Sequence, residues 1–552
     1  MTAEAGPEPA RLRWWAAVPL AAAGGLLLDV ASPELAWWAA AFPGTALVLA
    51  AVWQQRAGVA ALAGLAAGCG FWLPHISWLT LYLGPVPWLG LSAVMVLWYA
   101  LFGIAAALAT RGLARLPLLA ARPALRLAAQ AVTAAGLWVV REQLQGAWPY
   151  GGFPWGRLAH TQADGPLLEA VSWLGFAGLS GAIAFACALP IAALFAGGAA
   201  ELARLVRRGE ARPAARRIGA PLAAAVALLL LLGALPASQL PEHGSLRVAA
   251  VQGNSKSGIF DDRDSGDVLE DHLAATAELL DALEAGDERV DLIVWPENSA
   301  EFGLPDNPLG ATRIARLAER AGAPIVLGSV LRDPDGSYTN STLVWGPEGE
   351  TEARYDKIYP VPFAEYMPNR DFFHMLAPDL VDLVQLDYRP GTRPSVIDVE
   401  TADGPLRAGI AICFDIIFDA QAVDLVDRDA ELILAQTNNA DFGRTDENAQ
   451  QLAIARLRAV ETGRALVNIS TVGTSAVVAP DGADLAAIAP YAAGAMTAEV
   501  PRVSGATPAL AWGAAIAAGW MLLGAIGLAC GVAGRPRATR RSVSEARVPA
   551  ER

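Results

Sequence analysis

The sequence predicts a polytopic α-helical membrane protein of eight spans carrying one large extracytoplasmic α/β domain. Three observations lead there. The 552 residues are 54% apolar and only 17% charged, which is unlike an ordinary soluble chain. The apolar residues are unevenly placed: 14–236 holds long, almost charge-free runs rich in Ala, Leu, Gly and Trp, and 506–530 is apolar again. Between them, 245–500 has the charge spacing of a soluble domain with short strand-like and helix-like runs in alternation.

A span needs about 20 mainly apolar residues to cross the hydrocarbon core. The candidates are 13–30, 34–52, 57–75, 86–108, 122–141, 166–198, 218–236 and 506–530, of which 166–198 is overlong. The first does not read as a cleaved signal peptide. Apolar runs continue after it, and "GGLLLD" (24–29) offers no small-x-small cleavage site. Arginine placement sets the orientation. Arg11 and Arg13 precede the first span, Arg56 follows the second, Arg111, Arg115 and Arg122 follow the fourth, and Arg204, Arg207, Arg208, Arg212, Arg216 and Arg217 follow the sixth. Arg535, Arg537, Arg540 and Arg541 come after the last, and the alternate connections carry few positives. The positive-inside rule then makes both termini cytoplasmic. The expected organisation is a membrane domain of seven spans (1–236), an extracytoplasmic domain (237–505), an eighth span (506–530) and a basic cytoplasmic tail (531–552).

The outer connections 71–90 and 141–160 are dense in Trp, Tyr, Pro and Gly. They read either as an aromatic belt or as a floor at the outer leaflet over which a lipid passes. Arg141 and Glu142 sit at a span end, where an ion pair or a headgroup contact is feasible.

In the outer domain, "LRVAAVQGN" (246–254), "VDLIVWPENSA" (290–300), 324–330, 340–346, "PLRAGIAICFD" (405–415), "ELILAQTNNADFG" (431–443), "ALVNIS" (465–470) and "TSAVVAP" (474–480) read as strands. Helical periodicity marks 266–286, 309–320 and 447–464. Helices alternating with short, non-alternating strands indicate sheets buried on both faces, an α/β layer fold.

Candidate chemistry gathers at strand ends, where α/β folds place their binding groups. Glu297 follows "LIVW", Lys357 lies in "RYDKIYPVPFAEYMP" (354–368), and Cys413 ends "GIAIC". Singly, each has a plain alternative: a cap or ion-pair partner, a solvated lysine, a small buried hydrophobe. Together they make an acyl-transfer set, with a thiolate nucleophile, a carboxylate base and a cation for the oxyanion. No histidine lies in these stretches, which disfavours a Cys–His pair. The other cysteines, 69, 187 and 530, show no disulfide or metal spacing. A net charge of −14 argues against a nucleic-acid binder.

"WPE" (295–297), "YDK…VPFAEYMP" (355–368) and "ICFD" (412–415), in this order behind seven spans and "GGFPW" (151–155), resemble a known pattern. The outer domain resembles the nitrilase, or carbon–nitrogen hydrolase, superfamily. The chain from 10 to 530 resembles its membrane branch, the bacterial apolipoprotein N-acyltransferases. The resemblance implies a nitrilase-like α-β-β-α sandwich with catalytic Glu297, Lys357 and Cys413 and a second essential glutamate at Glu365. It departs from the family at Ala364, at Phe414–Asp415 in place of Tyr–Glu, and at Asp441 within "NNADFG" (438–443).

The same resemblance implies two half-reactions: Cys413 takes an acyl group from a membrane phospholipid as a thioester, and the N-terminal amine of a diacylglyceryl apolipoprotein collects it. Glu297 would shuttle the proton and Lys357 hold the oxyanion. No metal or organic cofactor is needed, and a monomer integral to the bacterial cytoplasmic membrane is expected. The run 369–384 suggests an arm or lid, and "IIF" (416–418) a contact to the acyl chain. A membrane-tethered nitrilase-like amidase shares the same triad. A transporter or receptor is disfavoured by the scarcity of charge within the spans.

Overall fold

The computed structural model describes residues 10–197, 199–258 and 261–534, so the arginines of the predicted basic tail lie outside the described residues. Seven apolar helices come first: α1 (Trp14–Val30), α2 (Ala41–Val52), α3 (Ala57–His75), α4 (Pro85–Leu113), α5 (Pro123–Gln145), α6 (Val171–Ala196) and α7 (Ala211–Gly233). Helices α3, α4, α5 and α6, together with 215–233 of α7, are long and apolar enough to cross a membrane, whereas α1 and α2 are shorter. The eight expected apolar segments are therefore helical, but only six of them have spanning length among the described residues. The predicted run 34–52 loses its first residues to an irregular stretch and a 3-10 turn (Trp38–Ala40). That leaves α2 about 18 Å long at 1.5 Å per residue. The overlong 166–198 run also resolves. Helix α6 starts at Val171 and is interrupted at Gly175 (φ 65°, ψ 176°), a conformation open mainly to glycine.

The chain then builds twelve strands: β1 (Glu242–Gln252), β2 (Leu292–Val294), β3 (Ile325–Arg332), β4 (Tyr338–Gly346), β5 (Gly349–Asp356), β6 (Val396–Thr401), β7 (Gly404–Ile412), β8 (Leu432–Thr437), β9 (Leu466–Ser470), β10 (Ser475–Val478), β11 (Asp484–Ile488) and β12 (Gly494–Val503). They form two six-stranded sheets, ordered β12-β1-β2-β3-β4-β5 and β11-β10-β9-β8-β7-β6. The β1-β2-β3 and β7-β8-β9 pairings are parallel; the remaining pairs are antiparallel. Val248, Val294 and Val326 of the first sheet share a core with Ile410, Leu434 and Val467 of the second, so the sheets pack face to face.

Helices cover both outer faces. Those on the first sheet are α8 (Asp267–Gly286) and α9 (Pro308–Ala321), through Leu273 and Ile314. On the second are α10 (Asp419–Asp427) and α11 (Glu447–Thr462), through Leu425 and Ile454. The result is an α-β-β-α sandwich. The core under α11 runs on without a break into the membrane helices, through Trp155, Phe176 and Leu179. For that reason α11 is buried on its polar side as well, including Gln450, Gln451, Arg458 and Glu461. Strands β5, β6, β11 and β12, and helix α10, are additions to the sequence reading. Strands β5 and β11 are largely exposed and β6 alternates, so none of these three carries the continuous apolar run of a central strand.

A last helix, α12 (Pro508–Ala533), returns to the membrane part and meets α4 and α5 backbone to backbone. A Cβ on Gly136 would lie 2.4 Å from the Trp520 carbonyl oxygen and 2.6 Å from the Gly524 nitrogen, and one on Gly112 would lie 1.8 Å from the Gly531 oxygen. No side chain fits there. Gly136→Leu is accordingly expected to lower the midpoint of thermal unfolding in detergent, followed by tryptophan fluorescence, since overpacking costs about 1–3 kcal/mol or more. Gly513→Ala, with nothing within 4 Å of the added carbon, should leave the midpoint at or above the parent value.

Candidate active site

Four candidate residues from the sequence stand at strand ends or in the loop after one. Glu297 lies three residues beyond β2, in a turn pressed against β3; a Cβ on Gly328 would come within 2.8 Å of the Glu297 Cα. Lys357 is the first residue after β5. Its backbone N–H donates to the Asn340 carbonyl (2.8 Å), and its own carbonyl accepts from Gly391 (2.7 Å). Glu365 follows in the next loop. Cys413 is the first residue after β7 and opens a short 3-10 turn, Cys413–Ile417.

The cysteine is held in a strained conformation, φ 49°, which for a non-glycine residue costs about 1–3 kcal/mol. Asp415 supplies the compensation. Its carboxylate accepts from the Ile412 N–H (3.0 Å), the Tyr355 hydroxyl (2.8 Å) and the Tyr359 N–H (2.9 Å). Burial raises this acid to about 6, with Lys357 and the three donors pulling the other way. The departure at 414–415 therefore preserves an acid that shapes the turn Cys413 opens.

Lys357 lies between two carboxylates. Its Nζ is 3.1 Å from Glu297 Oε1 and 3.0 Å from the Glu365 carboxylate, and both it and Glu297 are buried. Asn340 of β4 bridges the same two acids, its Nδ2 donating to Glu297 Oε1 (2.6 Å) and Glu365 Oε1 (3.1 Å). Glu365 also accepts from the Val361 N–H at 2.6 Å. Burial opposes the charge on Lys357, but the two glutamates outweigh it and hold the ammonium well above its usual pKa. Burial lifts Glu297, Lys357 draws it back, and the charge of Glu365 adds to the rise. The Cys413 thiol is pushed up by burial and by Glu297, against Lys357. A thiol so placed reacts well only if a neighbour takes its proton as the new bond forms. Glu297 has the raised proton affinity that this requires.

Several residues around the thiol are not legible as motifs. Asn340 stands out only as a polar residue in a buried strand. Gln451 of α11 donates to Cys413 Sγ at 3.4 Å, and Asn439 holds both Gln451 and Glu447. Phe414 stacks on Phe153 of the 141–160 connection (centroids 6.3 Å, 21°), and Trp78 and Trp155 pack under α11. Those aromatics are a docking surface for the sandwich, while Trp148 is exposed. Arg141 and Glu142 are paired with each other at 3.1 Å and buried. Ile416, Ile417 and Phe418 are core residues packed toward the membrane helices, so they are not exposed for an acyl chain. The 369–384 run forms two short helices, Arg370–Leu376 and Pro378–Val381, with Phe372, Met375 and Leu376 exposed.

Glu447 generates a pH test. Its Oε2 accepts from Asn439 Nδ2 (2.8 Å), and burial raises the acid to about 8 against that bond, with Glu297 adding to the rise. An acid raised in the folded state favours folding fully below its unfolded pKa and loses that contribution as pH climbs through the folded one. Between the ordinary glutamate value of 4.5 and about 8, Glu447 should erode stability by about 1.4 kcal/mol per pH unit. Glu447→Gln should flatten the fall of the unfolding midpoint across that window, as measured by thermal scans at stepped pH.

Comparison with known proteins gives the family. Residues 24–189 match the apolipoprotein N-acyltransferase N-terminal domain, and residues 247–507 match the carbon–nitrogen hydrolase domain. The apolipoprotein N-acyltransferase of Mycolicibacterium smegmatis is 34% identical over 531 residues, covering 92% of this chain and 84% of that one. The enzyme of the same name from Ralstonia nicotianae is 30% identical, covering 92% of each. Among solved structures, Saccharomyces cerevisiae Nit3, of branch 10 of the nitrilase superfamily, aligns at 18% identity over 48% of this chain and 93% of its own, with a TM-score of 0.35. The chain belongs to the apolipoprotein N-acyltransferase family, acyltransferases built on a carbon–nitrogen hydrolase domain.

Proposed function

We propose that this chain transfers a fatty acyl group from a membrane phospholipid, through a thioester on Cys413, to the N-terminal amine of the S-diacylglyceryl cysteine of apolipoproteins. The observation that carries the reading is the meeting of the Glu297–Lys357–Glu365 cluster, buried at Glu297 and Lys357, with a strained Cys413 whose next residue stacks on the membrane-side connection. Cys413 gives its proton to Glu297 while sulfur attacks the ester carbonyl. Lys357 faces the oxyanion, and the lysophospholipid leaves with the proton from Glu297. In the second half the amine attacks the thioester, Glu297 takes the amine proton, and the departing thiolate recovers it. Glu365 keeps Lys357 charged and raises the basicity of Glu297. The exposed Phe372–Leu376 face serves as an arm toward the acyl chains.

In this reading all eight apolar helices cross the bilayer, α1 and α2 as short spans supported by α3. Residues 1–236 and 506–530 are the membrane domain, 237–505 the extracytoplasmic catalytic domain and 531–552 the cytoplasmic tail. Both substrates are anchored by acyl chains, and extracting them would cost about 0.8 kcal/mol per CH₂. A nucleophile fixed over membrane helices avoids that extraction.

Enzyme in detergent, charged with labelled phospholipid, should hold a hydroxylamine-labile adduct that Cys413→Ala lacks. Adding an S-diacylglyceryl peptide with a free amine should move the label to that amine, and acetylating the amine should stop it. Prompt release of free fatty acid, indifferent to the peptide, would show a hydrolase instead.

Sidedness has its own test. In a background with all four cysteines replaced by alanine, Ser265→Cys and Ser504→Cys should label with an impermeant thiol reagent in cells whose outer barrier is opened or absent. Glu210→Cys should stay protected until the inner membrane is broken. The reverse pattern would turn the protein over.

A further inference from the structure

We propose that Gln451 is a further catalytic residue: its side-chain amide donates a hydrogen bond to the Cys413 sulfur and stabilises the thiolate, with Asn439 as the positioning residue that aims it. The inference rests on the reading of Cys413 as nucleophile. Gln451 Nε2 lies 3.4 Å from Sγ, a distance suited to an N–H···S bond. The other end of the amide is occupied, because Gln451 Oε1 accepts from Asn439 Nδ2 at 2.7 Å. Asn439 is itself oriented: its Oδ1 accepts from the Ser470 hydroxyl (2.6 Å) and the Thr437 hydroxyl (3.0 Å). A Cβ on Gly473 would lie 2.4 Å from that same Oδ1, so the network closes around Asn439 without slack. With the orientation set from behind, the end of Gln451 that faces sulfur is a donor.

The neighbouring residue fixes the helix. Gln450 Oε1 accepts from Trp155 Nε1 (2.7 Å) and Trp78 Nε1 (3.1 Å), and its Nε2 donates to the His75 carbonyl (2.9 Å). Successive residues of a helix point about 100° apart. One glutamine therefore grips the membrane half while the next reaches the thiol. When the S–H bond breaks, the proton goes to Glu297 and the electron pair stays on sulfur, where the Gln451 N–H meets it. Once the C–S bond forms, that charge is consumed and the hydrogen bond weakens. It strengthens again when the amine expels the thiolate, so one donor serves both half-reactions.

The test uses full-length enzyme in detergent, in a Cys69→Ala/Cys187→Ala/Cys530→Ala background, with iodoacetamide alkylation of Cys413 followed from neutral to alkaline pH. Gln451→Met keeps the length and loses the donor; Gln451→Glu keeps the shape and sets an acceptor against the sulfur. Hydrogen bonds to charged groups predict alkylation about tenfold slower in Gln451→Met at each pH, the curve moving about one unit to higher pH, and slower still in Gln451→Glu. A purely structural role would loosen packing and expose the thiol, which speeds alkylation. An unchanged or faster curve in the folded variants would overturn the proposal, and Gln451→Glu decides alone if Gln451→Met does not fold. Acyl adduct persisting in Cys413→Ala would remove the nucleophile reading, whichever way the alkylation curves fall.

Discussion

A buried ammonium is the constraint around which the sandwich is organised. Lys357 has no access to bulk water, and an uncompensated charge in that position is prohibitively costly. Two carboxylates must therefore reach it, from the turn after β2 and the loop after β5, and an amide near the start of β4 bridges them. Each approach has its own backbone requirement, such as the bare Cα of Gly328 beneath the Glu297 turn. Burial lifts the proton affinity of Glu297, and the charge of Glu365 adds to that rise against the pull of Lys357. The same arrangement that makes Lys357 tolerable leaves Glu297 with a raised proton affinity.

A second cluster ties that site to the membrane helices. Asp419 sits between Arg157 Nη1 (2.8 Å) and Arg458 Nη2 (2.7 Å), and Arg458 also pairs with Glu461. Arg458 donates to the carbonyls of Ile416 (3.0 Å) and Ile417 (2.9 Å), in the turn that Cys413 begins. Burial works against the charge on Asp419, yet the two guanidiniums hold its carboxylate well below the usual range. Phe176 of α6 lies beneath both, 4.1 Å from the Arg458 guanidinium and 5.6 Å from that of Arg157. Arg157 and Arg458 are buried while Asp419 is partly exposed, so removing one member costs less than the roughly 3–5 kcal/mol of a fully buried pair. The turn that Cys413 opens is thus built jointly by the sandwich and the membrane half, which a flexible tether would not achieve.

Much of this was legible in the residues alone. Long apolar runs have few stable alternatives to helices, and short continuous apolar runs at 248–251, 292–294 and 432–435 identify strands buried on both faces. Glu297, Lys357 and Cys413 stood out at strand ends as an acyl-transfer set, and the family resemblance of "WPE", "YDK…VPFAEYMP" and "ICFD" added Glu365. Strands β5, β6 and β11 escaped because an edge or half-exposed strand loses the apolar pattern on which such reading depends.

The tertiary structure decided what pattern cannot encode. Polar residues such as Gln450, Gln451, Arg458 and Glu461 are buried because a second hydrophobic body covers the polar face of α11. Their partners lie tens to hundreds of residues away, as with Trp78 and Gln450. Asn340 carries no local signal, since its meaning comes from the two glutamates it joins across three chain segments. Helix and strand periodicity follow from bonds between near neighbours, so sequence alone determines them. The pairing of buried charges and amides depends on which surfaces meet, and only the folded chain settles that.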